Sequence, residues 1–205
     1  MIPDSVLEGV EHLRNSDPAL REVVDRLDVP LQPSTGNVFE DALSCILDMR
    51  IHYTPTNAAF RYKRLKALFP FELQPETEVP EDVVAALKLS YQKADAWKAL
   101  RAIAQRDRWP ELDWVAMPDD EVVQRLTDVP GIGLWSAQMI LLFTLGRPAI
   151  FPCEDYQLRK AVCELYGYSE ADYADRIDRL IERWQPHSSL AARYLYRWRN
   201  PKKNQ

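Results

Sequence analysis

"DVPGIGLWSAQMILLF", residues 128–143, decides how this chain is read. Only six glycines occur in 205 residues, and two of them, Gly131 and Gly133, stand two apart behind Pro130. Leu126 and Val129 before them and the amphipathic run after them mark a tight turn between two helices. Glycines in such a turn accept positive φ and let a foreign backbone come close. The first N–H groups of the following helix then point outward without intrahelical partners, an arrangement that suits a phosphate. On these residues alone two readings stand side by side: an anion-binding turn, and a plain connection between packed helices.

Outward from the turn, alternating strand patterns are almost absent, while helical spacing recurs along the whole chain, so the sequence predicts an all-α protein. Helices are expected near 18–27, 38–53, 56–69, 80–89, 92–106, 119–126, 133–145, 155–166, 169–184 and 188–198. Pro18, Pro55, Pro80 and Pro118 are expected in first turns, where a missing N–H costs nothing. Residues 31–37, "LQPSTGN", form the clearest linker. The expected organisation is an N-terminal helical segment, 1–37, packing on the C-terminal helices, a core over 38–168, and C-terminal helices over 169–205.

Composition narrows the classes. With 46% hydrophobic and 28% charged residues the chain reads as an ordinary soluble globular protein rather than a disordered segment or a coiled coil. Its N-terminus is acidic where a secretory signal is basic, and its longest apolar run, 139–143, is far short of a membrane span. Three cysteines, Cys45, Cys153 and Cys163, with no close pair, suggest neither disulfides nor a zinc site and fit a reducing cytoplasm. A net charge of −5 argues against indiscriminate coating of nucleic acid. Local charge differs: "RYKRLK" (61–66) carries four positive charges and "RYLYRWRNPKK" (193–203) five, the latter interleaved with aromatics. Either run also suits a solvated helix face. His12, His52 and His187 lie in unrelated contexts and form no readable catalytic triad.

The stretch "VPGIGLWSAQMILLF", followed by "IFPCEDYQLRKAV" (150–162), resembles the helix-hairpin-helix DNA glycosylases, and within them the DNA-3-methyladenine glycosylase II branch. The similarity extends to "FEDALSCILDMRIHYTPTNAAF" (39–60), to "LKLSYQKADAWKALRAIA" (87–104), where Lys88 replaces the glycine of a Gly-x-Ser-x-x-Lys pattern, and to "RWQPHSSLAARYLYRW" (183–198). The resemblance implies two helical lobes with the active site in the cleft between them, no N-terminal β lobe, and a bacterial, nucleoid-associated repair enzyme acting on damaged duplex DNA. Base flipping and hydrolysis of the N-glycosidic bond of alkylated purines would be its chemistry.

The family's essential aspartate falls on Asp155, in a Pro-x-Asp-Asp pattern met here by Pro152, Cys153, Glu154 and Asp155. By its place before a helix Asp155 is also an N-cap, and the two roles are compatible. An ionised carboxylate there stabilises the positive charge that develops on the sugar as the bond breaks. Glu154 is secondary, because adjacent positions do not share a face. Strand-cutting relatives carry a lysine two residues after the second hairpin glycine; Trp135 stands there, which implies no lyase step.

Trp135, Met139 and Tyr196 match base-pocket positions, where aromatic faces would hold a cationic base, although aromatics at helical spacing also serve as core. The hairpin residues Gly131, Ile132, Gly133, Leu134 and Ser136 would meet DNA. The carbonyls of Thr127, Val129 and Gly131 would hold a monovalent cation, Na+ or K+. No other cofactor is implied, and no cysteine after Cys163 is available for an iron–sulfur cluster. Met49, Arg50, Ile51 and His52 depart from the family's Gln-Gln-x-Ser, with Arg50 near the position that fills the gap left by a flipped base. Arg50 and His52 could equally be surface residues of a loop. A non-catalytic DNA-binding hairpin module and a glycosylase for uncharged lesions such as uracil or hypoxanthine remain as alternatives.

Overall fold

The computed structural model describes residues 3–28, 35–48 and 60–199. Eleven α-helices follow in chain order among them: α1 (Asp4–Ser16), α2 (Pro18–Arg26), α3 (Val38–Asp48), α4 (Phe60–Leu68), α5 (Glu81–Ala86), α6 (Tyr91–Arg106), α7 (Asp119–Thr127), α8 (Leu134–Met139), α9 (Tyr156–Tyr166), α10 (Glu170–Trp184) and α11 (Ser188–Arg199). No strand occurs among the described residues, so the chain is all-α.

Two differences from expectation have local causes. Helix α1 adds to the individually expected helices, within the 1–37 segment expected to be helical. Gly9 is buried there, and a Cβ would lie 2.9 Å from His187 Nδ1, so the glycine permits close packing rather than breaking the helix. Pro80 and Pro118 precede their helices instead of entering the first turn. Their carbonyls accept the first intrahelical bonds, from Val84 N–H at 3.1 Å and Val122 N–H at 3.0 Å. Pro55 lies outside the described residues.

The chain forms two compact units, one of Met1–Pro33 with Gly146–Gln205 and one of Ser34–Leu145. The sequence boundary placed at 168 therefore falls inside the first unit. In that unit α1 packs on α2, α10 and α11, and α9 packs on α2, α10 and α11. Leu13, Leu20, Leu158, Val162, Trp184 and Leu195 are fully buried between them. Each such side chain contributes about 1.5–3 kcal/mol relative to exposure. Asp17 ties the helices together. Its Oδ1 caps α2 by accepting from Ala19 N–H (3.1 Å) and Leu20 N–H (3.0 Å), while Oδ2 accepts from Tyr166 Oη–H (2.7 Å) and Trp184 Nε1–H (3.1 Å). Burial, and then Asp17 itself, push the Tyr166 phenol up, so it stays a donor. His12 and His187, unrelated in sequence, meet with ring centroids 5.3 Å apart. Burial and then His12 lower the His187 imidazole, so it is neutral near pH 7.

In the second unit α3 packs against α4, α6 and α8. Glu40, 3% exposed, sits at the α3–α4 contact. It accepts from the Tyr62 hydroxyl and from Leu73 N–H (3.2 Å), and pairs with Lys66 Nζ at 2.8 Å. Lys93 of α6 donates from Nζ to the Leu47 carbonyl, capping the end of α3. Asp48 accepts from Arg61 N–H at 3.0 Å at the start of α4.

Candidate active site

The hairpin begins where α7 ends. Asp128 N–H still donates to the Gln124 carbonyl (3.0 Å), Val129 N–H to Leu126 (3.1 Å) and Ile132 N–H to Val129 (3.0 Å). Val129 and Ile132 are buried at 0% and 4% exposure and anchor the turn. Gly131 takes φ +92°, the left-handed region that a side chain makes costly. Gly133 is different: its φ of −103° suits any residue, and a Cβ there would meet nothing within 4 Å. Nothing among the described residues requires glycine at 133, which leaves room for an approaching backbone. Leu134 and Trp135, 54% and 47% exposed, open α8 beside it.

The other residues expected at the site differ in environment. Ser136 turns inward and hydrogen-bonds Cys45, whose thiol burial first, and then Asp41 and Asp48, push up to about 12. Cys45 is therefore an unreactive thiol. Met139 is buried at 9% exposure. The helix does not continue as a regular α-helix to residue 145: over Ile140–Thr144 it widens to a π-turn, closed by Leu145 N–H donating to Ile140 (2.9 Å). Thr144 Oγ1–H donates to Asp41 Oδ2 (2.6 Å) at its end. Thr127 turns its hydroxyl back onto Val123 (2.8 Å). Tyr196 is part-exposed on α11 next to buried Tyr194 and Leu195. Met49, Arg50, Ile51 and His52 lie outside the described residues.

Lys88, in the place where the resembled pattern has glycine, has φ +49°. The backbone demand survives although the glycine does not. Ser90, two residues on, is the N-cap of α6 and accepts from Lys93 N–H at 3.4 Å.

Asp155 is the N-cap of α9 and is 7% exposed. Its Oδ1 accepts from Leu158 N–H at 2.9 Å, and its own N–H donates to the Pro152 carbonyl at 3.0 Å, closing a turn over Pro152, Cys153 and Glu154. Its carboxyl group is thus almost excluded from solvent and seated at the positive end of a helix dipole. Glu154 is exposed, and Tyr156, 55% exposed, carries Lys160 Nζ 5.7 Å above its ring.

Two residues that sequence reasoning missed grip the strap leading to Asp155. Ser189 Oγ accepts from Ile150 N–H (2.8 Å) and donates to the Ile150 carbonyl (3.0 Å), and Ser189 N–H donates to the Pro148 carbonyl (3.0 Å). Tyr173 Oη–H donates to the Cys153 carbonyl at 2.7 Å. Neither has a local sequence signal, because each bond joins helices α10 or α11 to a distant irregular segment. Among the described residues no group of three or more His, Cys, Asp or Glu side chains could hold a metal ion, and no helix is long and apolar enough to cross a membrane.

This all-helical fold is shared with solved DNA glycosylases. A 3-methyladenine DNA glycosylase of Schizosaccharomyces pombe, solved in complex with abasic DNA, superposes with a TM-score of 0.75 at 21% identity, covering 93% of this chain and 95% of that one. A Bacillus subtilis protein whose name proposes a DNA-3-methyladenine glycosylase is 33% identical over 81 residues, which cover 40% of this chain. The chain spans only 28% of the length of that relative. The DNA-3-methyladenine glycosylase 1 of Schizosaccharomyces pombe is 24% identical over 162 residues, covering 78% of this chain and 71% of that protein. No protein-family model matches the chain.

Proposed function

We propose that this protein is a monofunctional DNA glycosylase of base excision repair, acting as a monomer in the cytoplasm on alkylated purines of the 3-methyladenine type in duplex DNA. The observation that carries this reading is Asp155: a carboxylate only 7% exposed, held at the N-terminus of α9 through Leu158 N–H. The names of the similar proteins supply the substrate class.

In the proposed reaction the damaged nucleotide leaves the stack, least expensively when its pair is already weakened. The bond between C1′ and the purine nitrogen breaks with its electron pair going to the base, which is already cationic and needs little acid assistance. Asp155 stabilises the resulting positive charge on the sugar. Water adds to C1′ as its proton passes to Asp155, and an abasic site remains. Trp135, with half its surface open, offers an aromatic face to the cationic base; carrying no amine, it forms no Schiff base. The sequence resemblance assigns Met139 and Tyr196 to the base pocket, and the backbone at Gly131, Ile132, Gly133, Leu134 and Ser136 to the DNA strand. Met49, Arg50 and His52 are assigned to the gap in the duplex by the sequence resemblance.

The hairpin chemistry fits a monovalent cation. Thr127 is the last residue of α7, so its carbonyl is among those that helix bonds leave over, and the Val129 carbonyl keeps a second lone pair beside its bond from Ile132. The carbonyls of Thr127, Val129 and Gly131 would hold Na+ or K+, which would add positive charge facing a phosphate.

The test is release of abasic sites from a duplex carrying N-methylated purines, scored as strand cuts after alkali. Wild type is expected to produce cuts, and Asp155→Asn to lose about a hundredfold or more in rate while retaining DNA binding in a gel shift. Undiminished release by Asp155→Asn removes Asp155 from catalysis. Cuts confined to uracil or hypoxanthine duplexes change the substrate class, and absence of cuts on every lesion favours a binding module.

A further inference from the structure

Residues 146–155 lack a helical hydrogen-bond ladder, yet Asp155 at their end must be placed to a fraction of an ångström if it is to act on a sugar. Tethers from α10 and α11 substitute for that ladder. Ser189, 4% exposed, satisfies both backbone groups of Ile150 with one hydroxyl and reaches Pro148 through its own N–H. Phe151 leans on Trp184 with ring centroids 5.2 Å apart. Tyr173, 5% exposed, holds the Cys153 carbonyl, two residues before Asp155. Burial first, and then Cys153 and Glu154, raise its phenol, so the hydroxyl remains a donor throughout the working range. The contacts fall at 148, 150, 151 and 153, leaving no stretch of the strap longer than a residue or two unheld before the Pro152–Asp155 turn.

We propose that Tyr173 and Ser189 are positioning residues for Asp155, fixing the strap so that the carboxylate meets the reacting sugar without a search; this rests on the glycosylase reading above. Neither touches substrate in this scheme. Their loss lets the strap shift, and misplacement of a catalytic group by about 1 Å costs on the order of a hundredfold in rate.

The experiment compares single-turnover base release with affinity for a duplex containing a non-hydrolysable abasic analogue, in wild type, Tyr173→Phe, Ser189→Ala and Val24→Ala. Val24 lies buried on α2 and makes none of the hydrogen bonds or ring contacts that hold the strap, so it serves as a control for lost stability. All are assayed well below their melting temperatures. Tyr173→Phe and Ser189→Ala are expected to slow base release roughly tenfold to a hundredfold with affinity for the analogue within about twofold of wild type. Val24→Ala is expected to keep the wild-type rate. Unchanged rates in Tyr173→Phe and Ser189→Ala overturn the proposal while wild-type activity upholds the glycosylase reading. An equal loss in Val24→Ala overturns it as well, since the effect is then one of stability. A wild-type protein that releases no base from any lesion refutes the reading itself and this inference with it.

Discussion

Lys88 illustrates how a single residue carries a backbone instruction. Its φ of +49° belongs to the left-handed region, where a Cβ crowds the following carbonyl. Lys88→Gly should relieve that crowding. Part of the gain is offset by the greater freedom of glycine in the unfolded chain, so a net stabilisation of up to about 1 kcal/mol is expected, visible as a rise in Tm of roughly 2–4 °C by calorimetry. A lower Tm would mean that the lysine side chain contributes more than its backbone costs. Gly131 obeys the same rule with the opposite residue present: at φ +92°, replacement by alanine strains the hairpin. Asp155 is legible by a different logic. A carboxylate directly before a helical pattern is a cap whatever else it does, and the Leu158 bond meets that expectation. Its burial was not legible, because burial depends on what α10 and α11 place over the strap.

At the scale of elements, buried carboxylates organise both units, and each is surrounded by donors from more than one segment. Glu40 links α3, α4 and the segment at Leu73. Burial alone would raise its carboxyl, but Lys66, Tyr62 and Leu73 N–H outweigh burial and hold it below the ordinary value. The folded form therefore gives up its proton more readily than the unfolded chain, and the stability this confers is complete above about pH 4.3, the unfolded value. It is lost as pH falls through the lowered native value. Asp48, whose carboxyl burial raises despite the amides of Arg61 and Tyr62, acts in the opposite sense, so the comparison that isolates Glu40 is with Glu40→Gln. That variant should be less stable at pH 7 by about 2 kcal/mol, since buried donors lose a charged acceptor, and its stability should fall less between pH 5 and pH 3 than that of wild type. Urea titrations across that range measure both effects; parallel pH dependence of the two proteins would refute the assignment. The helices themselves were largely visible as 3.6-residue periodicity. The widening over Ile140–Thr144 was not, because its apolar residues suit an α-helix as well as a π-turn, and the choice depends on how they pack against α3 and on the Thr144–Asp41 bond.

At the scale of the molecule, one unit is continuous in sequence and the other is assembled from the two ends of the chain. The difference predicts different behaviour of fragments. Residues 34–145 contain the partners of their own core and should show helical circular dichroism and a cooperative melt when produced alone. Deleting residues 1–33 should leave α9–α11 without Asp17, Leu20 and α2, so that Trp184 loses its buried fluorescence while the helicity of the other unit persists; a native Trp184 signal in that deletion would contradict the account. The sequence by itself determined the helical class, the glycine hairpin, the capping role of Asp155 and the absence of a lysine two residues after Gly133. Those features are set by φ preferences and by apolar spacing, which act within a few residues. Only the tertiary structure decided that His12 meets His187, that Asp17 receives Tyr166 from 149 residues away, and that Tyr173 and Ser189 grip the strap before Asp155. Such pairings are selected by which helices can bury their faces against one another once the intervening chain has closed, and no local pattern encodes that choice.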